Sequence, residues 1–415
     1  MTEQVHVQCC IAGGGPAGMM AGYLMARLGV KTLVLEKHAD FLRDFRGDTV
    51  HPSTLQAMAD LGLLDAFLQL PHSKLHSVGA EVDGEVLRII NFDRLPVECR
   101  FIAFMPQWDF LNFLKREGQK LPQFDVKMRA EAVDLVRDSS DRIVGLRAQT
   151  PSGALEVRAE LVIGADGRHS VLRDRAGLKI EDLGAPMDVF WFRLSRDSKE
   201  QDQLLARVNR GRFIITIDRG EYWQCAYLIP KGGADAVYAA GIESFRHNIA
   251  EAAPFLAART AELVTFDDVK LLSVAVDRLT RWSLPGLLFI GDAAHTMSPI
   301  GGVGINLAVQ DAIAAANLLG DRLAAGEHLD DHDLDAVRRR RLLPTRMIQQ
   351  FQVLAQNRVL KPALSDQGVS HINATPIKII AHAPLLQRLA ARMLGLGVRL
   401  ERVKMQGTAL PSVVT

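Results

Sequence analysis

Apolar positions change their spacing twice within the first 36 residues. Val5 to Ile11 is a branched apolar run of strand type, Pro16 to Leu28 carries apolar residues at helical spacing and stops at Gly29, and Lys31 to Glu36 is again a strand. Strand, Gly-rich turn, helix and strand in that order open a parallel βαβ unit. Pro52 and Ser53 start a second predicted helix that ends at Gly62, and Gln107 to Glu117 is a third, behind the short strand Phe101 to Met105. Ser139, Ser140 and Asp141 then punctuate a β-meander.

From Met187 to Ile229 the pattern becomes short aromatic strands with turns at Gly211 and Gly220, which predicts a separate antiparallel sheet. The βα pattern returns with the strand Leu287 to Ile290 and the long apolar helix Ile305 to Leu323, so the second unit interrupts the first. Beyond Leu342 the chain reads as mostly helical, and no internal repeat or long low-complexity segment is present.

A chain of 415 residues exceeds the ~250 to 300 at which single cores stop growing, which predicts two packed domains. A formal net charge of +1 and the lack of a basic stripe with interleaved aromatics exclude polyanion binding as the primary function, so no nucleic-acid partner is expected. Cys9, Cys10, Cys99 and Cys225 form no C-x-x-C pair, which points to a reducing compartment and to no metal site. The amino terminus carries Glu3 and no basic region of signal-peptide type, and no later stretch reads as ~18 uncharged apolar residues. The expectation is a soluble, cytoplasmic protein without a transmembrane segment, monomeric or homodimeric.

Chemistry enters with Gly13, Gly15 and Gly18 of GGGPAG, which follow a predicted strand and open a predicted helix. The first glycine permits the tight turn, the second lets a pyrophosphate approach the backbone, and the third lets helix and strand pack closely. Pro16 and Ala17 begin the helix whose N-terminal N–H groups meet the anion. Glu36, followed by Lys37, ends the next strand, where a carboxylate accepts hydrogen bonds from ribose hydroxyls. This is a Rossmann-type dinucleotide site, and by itself it leaves NAD and FAD both open.

Two further stretches resemble the class A flavoprotein aromatic monooxygenases, the family of para-hydroxybenzoate hydroxylase. Leu161-Val-Ile-Gly-Ala-Asp166-Gly167-Arg-His-Ser170-Val-Leu-Arg173 is similar to the family's DG motif. Leu287-Leu-Phe-Ile-Gly291-Asp292-Ala-Ala-His295-Thr-Met-Ser-Pro299-Ile-Gly301-Gly302-Val-Gly304-Ile305-Asn306 is similar to its GD motif and flavin loop. Read on its own chemistry, Asp292 directly after an apolar strand can accept hydrogen bonds from ribityl hydroxyls. The loop Pro299 to Gly304 then leads into a helix whose N-terminus favours negative charge at the pyrimidine edge of a reduced flavin.

The resemblance adds three residue roles: Arg46 toward the FAD phosphates, Gln107 toward the ribityl chain, and Asp166 near the FAD and the visiting nicotinamide. It covers about Val5 to Leu323, is weaker over Met187 to Phe266, and transfers no substrate residue. It implies an α/β fold in which residues 1–72, 98–178 and 276–345 form a discontinuous Rossmann-type FAD-binding domain. Residues 73–97 and 179–275 then form an antiparallel-sheet substrate domain, and 346–415 a helical C-terminus. It implies a single-component enzyme: NADH or NADPH reduces FAD, O2 adds to give a flavin C4a-hydroperoxide, and one oxygen atom passes to an electron-rich aromatic or quinone-like small molecule. Alternatives are an FAD reductase or halogenase of the same superfamily, or a non-catalytic FAD-binding protein. Trp223-Gln-Cys-Ala-Tyr-Leu-Ile-Pro230 lacks the W-x-W-x-I-P signature of the halogenases.

Trp191, Phe213 and Tyr227 are candidate walls of the substrate pocket, with a sheet core as the competing use. His295 and Pro299 flank the flavin in sequence, and no residue is assigned as catalytic, because the flavin carries the hard step. For His295 a base and a purely structural hydrogen bond both stay open. Arg338 to Arg341 reads as a solvated helix face, and Leu385 to Leu400 as a helix that docks on the flavin domain or touches a membrane.

Overall fold

A computed structural model describes residues 3–42, 49–82, 84–197, 206–209, 211–360 and 375–404. The larger sheet has eight strands, five of them parallel in the order Leu287–Phe289, Gly153–Gly164, Glu3–Ala12, Thr32–Glu36, Phe124–Met128. Layers on both faces explain why these strands read as apolar runs: Thr32–Glu36 is buried at every position. The helix Pro16–Arg27 makes the first crossover and packs against Gly304–Ala324 from the other end of the chain. Gly320 permits that contact, since a methyl group there would lie 2.3 Å from Leu28 Cδ1. Three separated stretches of sequence thus build one sheet-and-helix layer, as the interrupted βα pattern predicts.

The second sheet has seven strands, in the order Lys270–Leu272, Met187–Ser195, Tyr222–Pro230, Arg212–Asp218, Ala206–Asn209, Ser77–Val82, Glu85–Asn91. Alternation along each strand gives it two faces. Phe190, Phe192, Trp223, Cys225 and Tyr227 pack against Phe245 and Ile249 of the helix Ala234–Ala252. Trp191, Phe213 and Ile215 lie on the other face, with Ala226 and Leu228.

Ile300–Ala324 is long and apolar enough to cross a membrane by length and composition, yet 78% of its most apolar window is buried inside the protein. It is the central helix of the core on one face of the eight-stranded sheet, packed between the helices Pro16–Arg27 and Asp331–Ala355. The latter begins at an Asp330–Asp333 capping box and runs unbroken past residue 345, so the boundary expected there falls inside one helix. Pro344 removes one amide donor, but Leu334, Val337, Arg341 and Ile348 bury the same face on either side and carry the helix through.

Arg341 also corrects the solvated-face reading of Arg338–Arg341. Arg338 and Arg339 pair with Asp335 near the surface, whereas Arg341 is 1% exposed and donates from Nε to Asp311 Oδ1 at 2.9 Å. The other oxygen of Asp311 accepts from His295 Nε2 at 2.6 Å and from the Gly291 N–H at 3.1 Å. Burial pushes the Asp311 carboxyl up, but the charges and hydrogen bonds of His295 and Arg341 together hold it below the usual carboxylate range. A four-residue run cannot show that one member turns inward onto a carboxylate 30 positions away.

Removing this carboxylate leaves the buried Arg341 guanidinium with only Glu401, 3.6 Å from Nη1, as its counter-charge. Asp311→Asn is expected to cost about 3–5 kcal/mol in chemical denaturation at pH 7. A depressed folded-state pKa contributes stability that is complete above the unfolded value, ~3.9, and is lost as pH falls through the folded value. The gap between wild type and variant should therefore narrow below about pH 4, and a gap that does not change with pH would contradict the ion cluster.

Candidate active site

All three sequence motifs emerge at the carboxyl ends of neighbouring parallel strands, the edge at which open α/β sheets bind ligands. Gly13 follows Glu3–Ala12, Asp166 and Gly167 follow Gly153–Gly164, Gly291 and Asp292 follow Leu287–Phe289, and Glu36 closes Thr32–Glu36. Gly13 adopts φ +101°, and a methyl group on it would lie 2.3 Å from the Ala165 carbonyl oxygen, so the first motif sits directly against the DG loop. Gly291, at φ +59°, likewise admits no methyl group, because Ala17 Cβ would lie 2.9 Å away.

Gly15 differs from both. Its φ is −73° and nothing lies within 4 Å of where a side chain would start, so neither strain nor packing explains it. Open space over the start of a helix does. The helix Pro16–Arg27 has no side-chain cap and no acidic residue in its first turn, leaving its N–H groups for an anion. The helix Gly304–Ala324 starts the same way, uncapped, without acidic residues in its first turn, and with open space at Gly304. Glu36 is buried beside the first cradle: Oε2 accepts from the Gly14 N–H at 2.9 Å and Oε1 from the His38 N–H at 3.0 Å. Lys37 is exposed beyond it. Two uncapped helix starts facing one glycine-lined edge, with a carboxylate at the outer end, fit the pyrophosphate, ribose and pyrimidine edge of FAD.

Other predicted residues fall as follows. Asp292, 37% exposed, has Arg168 Nη2 3.8 Å away. Gln107 is half-buried at the first turn of Gln107–Gly118. Arg46 lies outside the described residues. Asp166 is half-buried: Ser170 Oγ donates to it at 2.5 Å and the Leu172 N–H at 3.2 Å, while burial pushes its carboxyl up. Its carboxylate thus supports the start of the short helix Val171–Arg175, whose N-cap is Ser170, and Arg168 lies two residues on, beside Asp292. His295, 1% exposed, points into the ion cluster behind the loop, with the Trp282 ring 5.0 Å away; of the two roles left open, the structure realises the hydrogen bond.

The loop Pro299–Gly304 is pinned from behind. Thr49 Oγ1 and Asn306 Nδ2 both donate to the Gly302 carbonyl, and Asn306 Oδ1 accepts from the His51 N–H and Thr54 Oγ1. Gly301 packs against Leu394 of the helix Pro384–Gly395, which docks one face on this region. Ile305 begins the buried face of Gly304–Ala324. Trp191 and Phe213 belong to the same apolar cluster as Ile300 of this loop, whereas Tyr227 is on the opposite face of the sheet, edge-on to Phe245 at 5.4 Å. Tyr227 is therefore core, and parity along the strand is the reason: it is the neighbour of inward-facing Ala226 and Leu228.

Two further groups of residues hold these loops in place. Arg173, 6% exposed, bridges two motifs by donating to the carbonyls of Arg168 at 2.7 Å and Ala293 at 3.4 Å. Gln349, Gln352 and Gln356 reach the segment Thr296–Ile300 from the helix behind it.

Comparison with known proteins agrees with this geometry. The FAD binding domain family matches residues 6–350. The 6-methylpretetramide 4-monooxygenase of Streptomyces rimosus is 29% identical over 395 residues, 94% of this chain and 93% of that protein. Among solved structures, the p-nitrophenol 4-monooxygenase PnpA of Pseudomonas putida superposes with a TM-score of 0.79 at 20% identity, covering 96% of this chain and all of that one. PqsL of Pseudomonas aeruginosa, a probable FAD-dependent monooxygenase, gives 0.73 at 22% identity, covering 86% and 98%. The chain belongs to the FAD binding domain family, as a class A flavoprotein monooxygenase.

Proposed function

We propose that this FAD-dependent monooxygenase hydroxylates a phenol or quinone precursor held between the flavin loop and the inner face of the seven-stranded sheet. When bound, FAD takes reducing equivalents from NADH or NADPH and delivers one atom of O2 to the substrate, the other leaving as water. The chain's residues bind, orient and exclude water. The uncapped starts of Pro16–Arg27 and Gly304–Ala324 take the negative charges, Glu36 the adenosine ribose, and Asp292 and Gln107 the ribityl hydroxyls. Arg168, beside Asp292 at the rim, offers a cation to the reductant.

The observation that carries the substrate reading is Trp191. Its indole Nε1 is buried without a hydrogen-bond partner among the described residues, on the sheet face that shares its apolar cluster with Ile300. A buried donor left unpaired costs free energy, and a substrate oxygen placed there supplies the acceptor. Phe213 and Ile215 add the apolar wall for an aromatic ring. A cytoplasmic location fits four buried, unpaired cysteines.

A screen of phenols, quinolones, quinone precursors and 6-methylpretetramide should find compounds that both stimulate nicotinamide oxidation and gain one oxygen by mass. Peroxide without product from every compound would favour a reductase instead. With a true substrate, Trp191→Phe should raise KM about 5-fold, equivalent to ~1 kcal/mol, and leave FAD affinity unchanged. An unchanged KM would remove Trp191 from the pocket.

The site also has to serve two opposed steps. No second nucleotide-binding βαβ unit is evident among the described residues, so the reductant visits a surface near Arg168, while oxygen transfer needs the same region closed to water. Substrate binding should therefore act as the signal for reduction. Rapid mixing is expected to show flavin reduction by NADH or NADPH at least ~10-fold faster with substrate bound, ~1.4 kcal/mol of coupling. Equal rates with a compound that is demonstrably hydroxylated would contradict this gating.

A further inference from the structure

The segment that leads into the flavin loop faces a physical problem. His295–Thr296 pairs briefly with Asp277–Leu279, but Met297 to Pro299 has no strand beside it, and Ser298 is 1% exposed. Buried backbone N–H and C=O groups require partners. Here Gln349 and Gln352 supply them, and Gln356 holds the Ser298 hydroxyl, three side chains at positions i, i+3 and i+7 along one face of a single helix and its continuation. Gln349 Nε2 donates to the Thr296 carbonyl at 3.0 Å and to the Asp277 carbonyl at 2.7 Å. Gln352 Oε1 accepts from the Ser298 N–H at 3.1 Å, and its Nε2 donates to the carbonyls of Ser298 and Ile300, both at 2.9 Å. Gln356 Nε2 donates to Ser298 Oγ at 2.5 Å, from the point where the helix widens into a π-turn over Gln356–Leu360.

Gln352 does for Ser298 what a neighbouring β-strand does, taking its N–H and supplying a donor to its C=O. A side-chain amide carries the two functions on adjacent atoms, as a peptide group does, and glutamine is the longer of the two amide side chains. The three side chains are 0–1% exposed, a burial that polar residues of this size seldom reach. Gln352 also grips both sides of Pro299, so it fixes Ile300, whose side chain joins the cluster containing Trp191 and Phe213. One side chain thereby fixes Ile300 of the loop relative to Trp191 and Phe213 of the sheet.

We infer that Gln349, Gln352 and Gln356 form a positioning ladder, with Gln352 as its central rung, that holds the flavin loop in register with the substrate-binding sheet. The inference rests on the reading above that this loop faces the flavin and the sheet face beyond it the substrate. It assigns to a helix without cofactor contacts of its own the control of how efficiently oxygen reaches product rather than water.

Gln352→Glu and Gln352→Met remove the two donated hydrogen bonds, the first at equal length, and Gln350→Met on the exposed side of the same helix is the control. The readouts on purified apoprotein and reconstituted enzyme are thermal unfolding, FAD Kd by fluorescence titration, the visible flavin spectrum with and without substrate, and the fraction of nicotinamide oxidation released as hydrogen peroxide. The ladder predicts that both variants raise FAD Kd at least ~10-fold, alter the spectrum, and increase the peroxide fraction several-fold, while Gln350→Met matches wild type. Variants that lose thermal stability but keep the wild-type Kd, spectrum and peroxide fraction would overturn it, leaving a structural role only. If neither Gln352 variant folds, Gln356→Met, which removes one bond, is held to the same outcomes. Kd and spectrum require no substrate, so they decide the ladder even if the proposed substrate class is wrong.

Discussion

Ala165 and Gly13 approach so closely that a single methyl group between them would lie 2.3 Å from a carbonyl oxygen. That contact ties the turn of the first strand to the turn of the strand beside it, and the rest of the site is arranged around it. With the two turns locked, the helix Pro16–Arg27 leaves the sheet at one fixed angle, and Ala17 meets Gly291 across a gap that only glycine fits. Three stretches of chain, beginning near residues 3, 153 and 287, are thus brought to one edge by parallel strand pairing and close packing of their turns. The open space at Gly15 and Gly304 is what remains once these contacts are made.

A loop poor in side chains can lie against a cofactor, but it cannot hold itself there. Pro299 to Gly304 offers almost nothing except backbone, so its position is set by what stands behind it: Thr49 and Asn306 on the Gly302 carbonyl, Leu394 against Gly301, and Gln352 on both sides of Pro299. Deeper still, Asp311 fixes the Gly291 amide and is in turn neutralised by Arg341 and His295. The helix Asp331–Ala355 therefore contributes to the site through an arginine and two glutamines, with Gln356 following at its end, and without meeting the glycine-lined edge itself.

These two layers differ in how they were legible. The glycines, Glu36 and Asp292 stand at the ends of predicted strands, and local spacing carries their meaning, so the parallel sheet, its crossover helices and the flavin-side edge could be read directly. Arg341 and the glutamines have no local signature, because their partners lie 30 to 72 positions away and are found only after folding. Tyr227 is an intermediate case: strand parity separates it from Trp191 only once the inner face is known, and the sheet's pairing register supplies that. Asp166 has a local use that its motif does not announce. An Asp-Gly pair after a strand resembles a ligand contact, yet a carboxylate there can support the start of the following short helix, and this one does.

The account's central claim is that the glycine-lined edge and Glu36 recognise the adenosine diphosphate half of the flavin nucleotide. Titrating the apoprotein with FAD and with FMN tests it most directly, because FMN keeps the isoalloxazine and ribityl groups and lacks the half that Gly15 and Glu36 address. The account predicts one tight site for FAD and FMN binding at least ~100-fold weaker, a difference of ~2.8 kcal/mol. Equal affinities for the two flavins would contradict it.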